Sequence, residues 1–191
     1  IGYVGTFTKS KQDGYPYAPI DSETNRTKDI VYNEPSGYEQ LLTTHGLNIR
    51  REDEKSLFSS VTAFQYLEDE QWLDQDFSAD SIYYATQTQK QVMLSQEFVW
   101  RSNREDARYQ WVIGAFGFMQ DVESTIDVDN YIQHAAEYRL TDIRTLGGAL
   151  FHQSRVNDLF IKNLSLEGGL RIDAEQSEMD YDYALEMKGN R

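Results

Sequence analysis

The chain has 191 residues, enough for one domain with a sizeable core. Its formal net charge of -14 excludes a nucleic-acid partner, because phosphate binding draws on clustered Lys and Arg that are scarce here. The absence of cysteine removes disulfide frameworks, thiolate metal sites and cysteine nucleophiles together.

The opening, IGYVGTFTKSK, has no basic segment followed by an apolar one, so any export signal is expected to lie upstream or to have been removed. It reads instead as a strand over residues 3–8, rich in Tyr, Val, Phe and Thr. A long connection is expected from about 9 to 40, which holds Pro16, Pro19 and Pro35. Strands follow at 41–51 and 55–67 with a tight turn at Glu52 and Asp53 between them. In the second, Leu57, Val61, Ala63 and Leu67 oppose Phe58, Thr62, Phe64 and Tyr66, and either set suits an apolar environment.

A second long connection is expected over 68–89. Residues 91–101 then alternate clearly, with Val92, Leu94, Phe98 and Trp100 on one side and Gln91, Ser95, Glu97 and Arg101 on the other; Gln96 is the one polar intruder. A short connection at 103–106 leads to a strand over 109–120, where Trp111, Ile113 and Ala115 compete with Val112, Phe116 and Phe118. A third long connection is expected over 121–144. Within it NYIQHAAEYRL at 130–140 is the only plausible helix, though it equally suits an extended strand. A strand over 145–155 and a short link near 156–159 precede the clearest alternation of all. There Leu164, Leu166, Gly168, Leu170 and Ile172 interleave with Ser165, Glu167, Gly169, Arg171 and Asp173, and a further long connection is expected after Asp173.

Long and short connections thus alternate along the chain, the rhythm of an up-and-down barrel with tight turns at one end and long loops at the other. No run approaches the roughly 18 to 20 apolar residues of a membrane helix, and mean hydropathy is -0.67. A membrane strand needs only about 9 to 11 residues with alternate positions apolar, so hydropathy averages its signal away.

Three stretches resemble passages of TonB-dependent outer-membrane receptors: SLFSSVTAFQYLEDEQWLDQDFS at 56–78, QKQVMLSQEFVWRS at 89–102 and YQWVIGAFGFMQD at 109–121. TLGGALFHQS at 145–154 and LSLEGGLRIDAE at 164–175 are similar to that family's next hairpin, in the same order. The resemblance spans roughly residues 41–175. It implies an all-β fold, antiparallel up-and-down hairpins forming part of a transmembrane β-barrel, with residues 1–191 as one partial barrel domain of seven or eight strands. Nothing in the chain resembles the family's plug, its energy-coupling box or its closing aromatic strand.

The resemblance further implies the outer membrane of a Gram-negative bacterium and uptake of a scarce small-molecule nutrient such as a siderophore or other metal chelate. Implied partners are an inner-membrane TonB-type energy-coupling complex acting through the plug, and outer-membrane lipid and lipopolysaccharide. Polar inward side chains such as Glu167 and Arg171 would hold the plug. No enzymatic activity, cofactor or metal is implied.

Read directly, the residues offer little chemistry. Glu68, Asp69, Glu70, Asp74, Asp76 and Asp80, and Asp121, Glu123, Asp127 and Asp129, lack the glycine turn and closing Glu of a calcium loop. His45, His134 and His152 are scattered, without an H-E-x-x-H pair. Glu97 and Glu167 could be imagined as a glycosidase pair, but both fall on polar strand faces. Trp72, Trp100 and Trp111 could stack on sugars or an aromatic chelate, whereas strand-end aromatics such as Tyr66 and Trp100 suit a membrane-interface girdle. Two rival architectures are a small closed lipocalin-like barrel and a carbohydrate-binding β-sandwich; strand order separates them from the barrel portion.

Overall fold

A computed structural model describes residues 1–188 apart from Pro16 and Glu105. Seven strands form one sheet: β1 (Gly2–Asp13), β2 (Gly37–Glu52), β3 (Ser56–Asp74), β4 (Tyr83–Ser102), β5 (Tyr109–Asn130), β6 (Ala135–Val156) and β7 (Leu166–Met187). Each pairs antiparallel with its sequence neighbours in the order β1-β2-β3-β4-β5-β6-β7. No Greek-key crossover occurs, which excludes the sandwich, and β1 does not pair with β7, so the sheet is open. Among the described residues there is no helix.

The meander has a base, with connections 53–55, 103–108 and 157–165, and a crown, with connections 14–36, 75–82 and 131–134. Expected neighbours β2 and β3, and β4 and β5, pair as anticipated. The expected alternation of connection lengths does not hold beyond the first crown loop. Most of 68–89 and 121–144 is strand, because β3, β4, β5 and β6 continue past their apolar stretches toward the crown. The helix at 130–140 is replaced by a turn at 131–134, where His134 takes a φ of 50°, and by the start of β6. The connection expected after Asp173 is likewise strand, since β7 runs to Met187, and Leu164 lies before β7 in the base connection. Pro16 lies outside the described residues.

Every ladder keeps constant register, so β4 to β7 run 20 to 22 residues without a bulge. Constant register fixes the two faces: directly paired residues share a side, and the side alternates along each strand. A single layer has little interior, and the buried apolar residues are Leu57, Ala85, Ala135 and Ala149. Two back-face glycines are instead covered from the neighbouring strand. A Cβ on Gly114 would come within 2.1 Å of the Phe151 ring, and one on Gly147 within 2.3 Å of Phe118.

Candidate functional site

One face, here the front, carries a continuous apolar band near the base. Its members include Leu47 and Ile49 on β2, Phe58 and Phe64 on β3, Val92 to Trp100 at alternate positions on β4, and Ile113 and Met119 on β5. Leu146 and Leu150 on β6 and Leu166, Leu170 and Ile172 on β7 complete it. These side chains are exposed rather than packed, with Leu170 at 69%. Phe58 stacks on Phe98 at 6.2 Å and Trp100 meets Trp111 edge-on at 5.1 Å, which sets an aromatic row along the lower edge. Gln96, the polar intruder, is satisfied locally. It accepts from Thr62 Oγ1 at 2.5 Å and donates to Ser60 Oγ at 2.9 Å.

The band does not run square to the strands. Its upper edge passes from Leu41 on β2 through Val92 to Met119, Leu146 and Ile172, and its lower edge from Ile49 through Trp100 to Tyr109, Val156 and Leu166. Followed across the paired rungs from β2 to β7, both edges descend by about six to eight residues over five strand spacings of about 4.8 Å. The band is therefore inclined by roughly 40 to 50° to the rungs.

Above the band polarity inverts without any shift in register. The front becomes charged, with Glu68 and Glu70 on β3, Lys90 on β4, Asp121 and Glu123 on β5, Asp142 and Arg144 on β6, and Glu178 and Asp180 on β7. Arg144 Nε meets Asp121 Oδ1 at 2.7 Å and Lys90 meets Glu68 at 3.7 Å, solvent-exposed pairs worth little in stability. On the back the apolar residues now appear: Leu73, Ala85, Ile126, Val128, Met179, Tyr181 and Tyr183. Several line a hollow of about 390 Å³ that also holds Gln71, Gln87 and Arg139. Nearer the base the back is mixed: Glu97, Arg101, Gln153, Arg155, Glu167, Arg171 and Asp173 share it with Val112, Phe116, Phe118 and Phe151.

The candidate residues fall on this frame without forming one centre. Glu68, Glu70, Asp121, Glu123, Asp127 and Asp129 occupy the front above the band and Asp69 the back, while Asp76 and Asp80 sit in the crown. Among the described residues no three or more His, Asp or Glu side chains converge as a metal site. Glu97 and Glu167 share the back face but stand on β4 and β7, about 14 Å apart across the strands and roughly 20 Å further along them, far wider than a glycosidase pair. His45 meets Tyr3 Oη at 2.5 Å and Thr43 Oγ1 at 3.0 Å, and stacks against Phe64. His152 bonds Ser154 Oγ at 2.8 Å, and the His134 carbonyl accepts from the Lys188 amide at 2.5 Å. Trp100 and Trp111 lie in the lower aromatic row, whereas Trp72 covers Gly37 near the crown, and Tyr66 donates to Glu68 at 2.8 Å.

The crown is organised by carboxylates. Asp74 is only 1% exposed; its Oδ2 accepts from the amides of Asn33 at 3.1 Å and Glu34 at 3.4 Å, while its own amide donates to Ser36 Oγ at 2.9 Å. Tyr84 adds a bond to the Pro35 carbonyl at 3.2 Å, so residues 33–36 are tied down on β3 and β4. In the neighbouring turn, partial burial raises the Asp76 carboxyl. Hydrogen bonds from the hydroxyl and amide of Ser78 and from the amides of Tyr83 and Ile82 outweigh this and hold it below its usual range. At the base, the amides of Lys55 and Ser56 lower Asp53 in the same way.

Fold and surface together define an open antiparallel meander with a solvent-facing apolar belt. No family model matches the chain, and no curated protein matches it. Among solved structures it is similar to the ferric yersiniabactin uptake receptor FyuA from Yersinia pestis, with a TM-score of 0.53 and 10% identity over 94% of this chain. The chain spans about a third of that structure, 32% of its length. The likeness is one of fold.

Proposed function

We propose that the chain forms part of the barrel wall of a TonB-dependent outer-membrane receptor that takes up a small nutrient such as a metal chelate. The observation that carries this reading is the inclined apolar band. Strands of outer-membrane barrels tilt by roughly 35 to 45°, so a lipid belt parallel to the membrane must cut obliquely across the rungs. The inclination of roughly 40 to 50° read from the paired rows agrees with that tilt. On β4 the band runs from Val92 to Trp100, about 27 Å along the strand and so about 20 Å along a membrane normal, close to the roughly 25 Å apolar zone of such barrels. A soluble open sheet has no cause for such a belt.

In this reading the front meets lipid, the charged rows above it lie level with lipopolysaccharide headgroups, and the back faces the lumen. The wall encloses and positions rather than catalyses. Energy coupling would act through a plug against the polar side chains of the lower back, while the apolar upper back and the crown loops would help to capture the nutrient. The likeness to an uptake receptor supports the same reading at the level of fold.

Solubility tests it directly. Two unpaired edges and an apolar front should make the 191-residue chain associate in water and disperse only in detergent. A monodisperse, cooperatively unfolding monomer by light scattering without detergent would overturn the reading.

A further inference from the structure

We infer that the base of the back face carries a carboxylate clamp, formed by Arg101 and Arg155, that receives an Asp or Glu side chain from an acidic polypeptide segment lying against that face. The clamp itself is independent of the membrane reading, which supplies only the statement that the segment lies in the lumen.

A group of basic residues lies at the base, among them Arg50, Lys55, Arg101, Arg104, Arg108 and Arg155. Most acidic neighbours there are already engaged. Glu52 accepts from Arg50 at 2.8 Å and from Asn103 at 3.1 Å, Asp106 pairs with Arg104 at 3.3 Å, and Glu167 accepts from Gln153. Asp53 is held by its own turn. Arg101 is left with no hydrogen-bond or ion-pair partner among the described residues, only the longer-range attraction of Glu52. Arg155 uses Nε on Asn157 Oδ1 at 3.1 Å, and its terminal amino groups have no hydrogen-bond or ion-pair partner among the described residues.

Register sets these two arginines on one face, around one cavity. Arg101 pairs with Val112, which pairs with Gln153, and Arg155 is the next residue on the same side of β6. Their Cα atoms are therefore about 12 Å apart, a gap that two extended arginines close from opposite sides. Beside them lies a cavity of about 290 Å³, lined also by Gln110, Val112 and Gln153, with the carboxylate of Glu167, held by Gln153, on its β7 side. That volume is at the lower limit of small-molecule sites and suits one side chain. Val112 in the lining gives an apolar rest to a methylene stem, which an inorganic anion lacks, while paired arginines suit a planar carboxylate.

The test uses the full chain refolded in detergent and a fluorescent peptide rich in Asp and Glu, with its Asn and Gln counterpart and inorganic phosphate as comparison probes. The acidic peptide should bind at least about tenfold more tightly than the neutral one, and Arg101→Glu or Arg155→Glu should each remove that preference. The double reversal should instead bind a Lys-rich peptide, while Arg139→Glu, near the crown on the same face, should leave affinity within about twofold. If a reversal loses its strand spectrum, Arg101→Lys and Arg155→Lys are read instead, each with an expected loss of about threefold or more. Equal binding of acidic and neutral peptides would overturn the clamp. So would equal weakening by Arg139→Glu, or displacement of the peptide by phosphate at equal concentration. The detergent requirement is measured separately, so it can fail or hold whatever the peptide does.

Discussion

Adjacent residues on β4 separate a lipid-facing band from an ordinary wet sheet surface. Leu94 lies on the front at 42% exposure between Phe64 and Met119, and Ser95 lies on the back between Ala63 and Phe118. Leu94 is two residues from the centre of the band, hence about 5 Å from the midplane along the normal. Arginine near the midplane of a barrel's lipid face costs about 2 to 4 kcal/mol, falling toward the interfaces, so Leu94→Arg should cost about 2 to 3 kcal/mol. That is about 30- to 150-fold in the folding equilibrium. On a water-facing sheet the same exchange at a half-exposed position should stay near 0.5 kcal/mol. Ser95→Arg should cost under about 1 kcal/mol, since Ser95 is already polar and partly exposed and a long side chain there can extend past Ala63 and Phe118 into water. The assay is an equilibrium urea titration of folding into phospholipid vesicles, followed by tryptophan fluorescence. Leu170→Arg and Glu167→Arg on β7 repeat the comparison and should rank the same way. Equal costs at 94 and 95 would refute the assignment of the front to lipid.

Gly114→Ala should destabilise by about 1 to 3 kcal/mol, because its Cβ would enter the Phe151 ring, whereas Gly117→Ala meets nothing closer than 3.8 Å and should be nearly silent in the same titration. Asp74→Ala should free the amides of Asn33 and Glu34 at a cost of about 1 to 3 kcal/mol, seen as faster amide exchange at residues 33 and 34, while Asp74→Asn keeps an acceptor and should largely preserve protection. Asp76 is held below its ordinary value of 3.8, so its contribution to the 75–82 turn is fully present above that pH and lost as pH falls through the lower folded value. Amide protection at Ile82 and Tyr83 should therefore be constant from about pH 7 to 5 and collapse only below about pH 3.8, a loss that Asp76→Asn should abolish.

The base halves of β4 and β7 were legible because there the front is apolar and the back largely polar, so alternation has one phase, whereas β3 and β5 carry apolar residues on both faces. Val92 to Trp100 and Leu166 to Ile172 show this directly, and the structure puts Leu166, Leu170 and Ile172 opposite Glu167 and Arg171 as the alternation requires. The crown halves of the same strands were misread as connections because the phase reverses. On β5 the apolar set passes from Trp111, Ile113 and Met119 to Val122, Ile126 and Val128, and on β7 from Leu170 and Ile172 to Met179, Tyr181 and Tyr183. A reversal of phase in sequence normally signals a bulge or a turn, since one inserted residue moves every later side chain to the other face. Here the pairing partners keep constant register through the reversal, so the faces stay fixed and their environments exchange instead. On the proposed barrel-wall reading, two solvents along one strand would produce that exchange: lipid against the front and water behind it near the base, then water in front and a drier lumen mouth behind near the crown. The site-bearing features were hidden for other reasons. Asp74 and Asp76 read as members of an acidic loop, yet they are the acceptors that fold the crown connections down. Arg101 and Arg155 lie far apart in sequence and line one cavity only because constant register sets β4 and β6 two strands apart on one face. The reversal of phase between residues 119 and 122, and again between 172 and 179, was the available signal, and it marks the level at which the strands leave the apolar band.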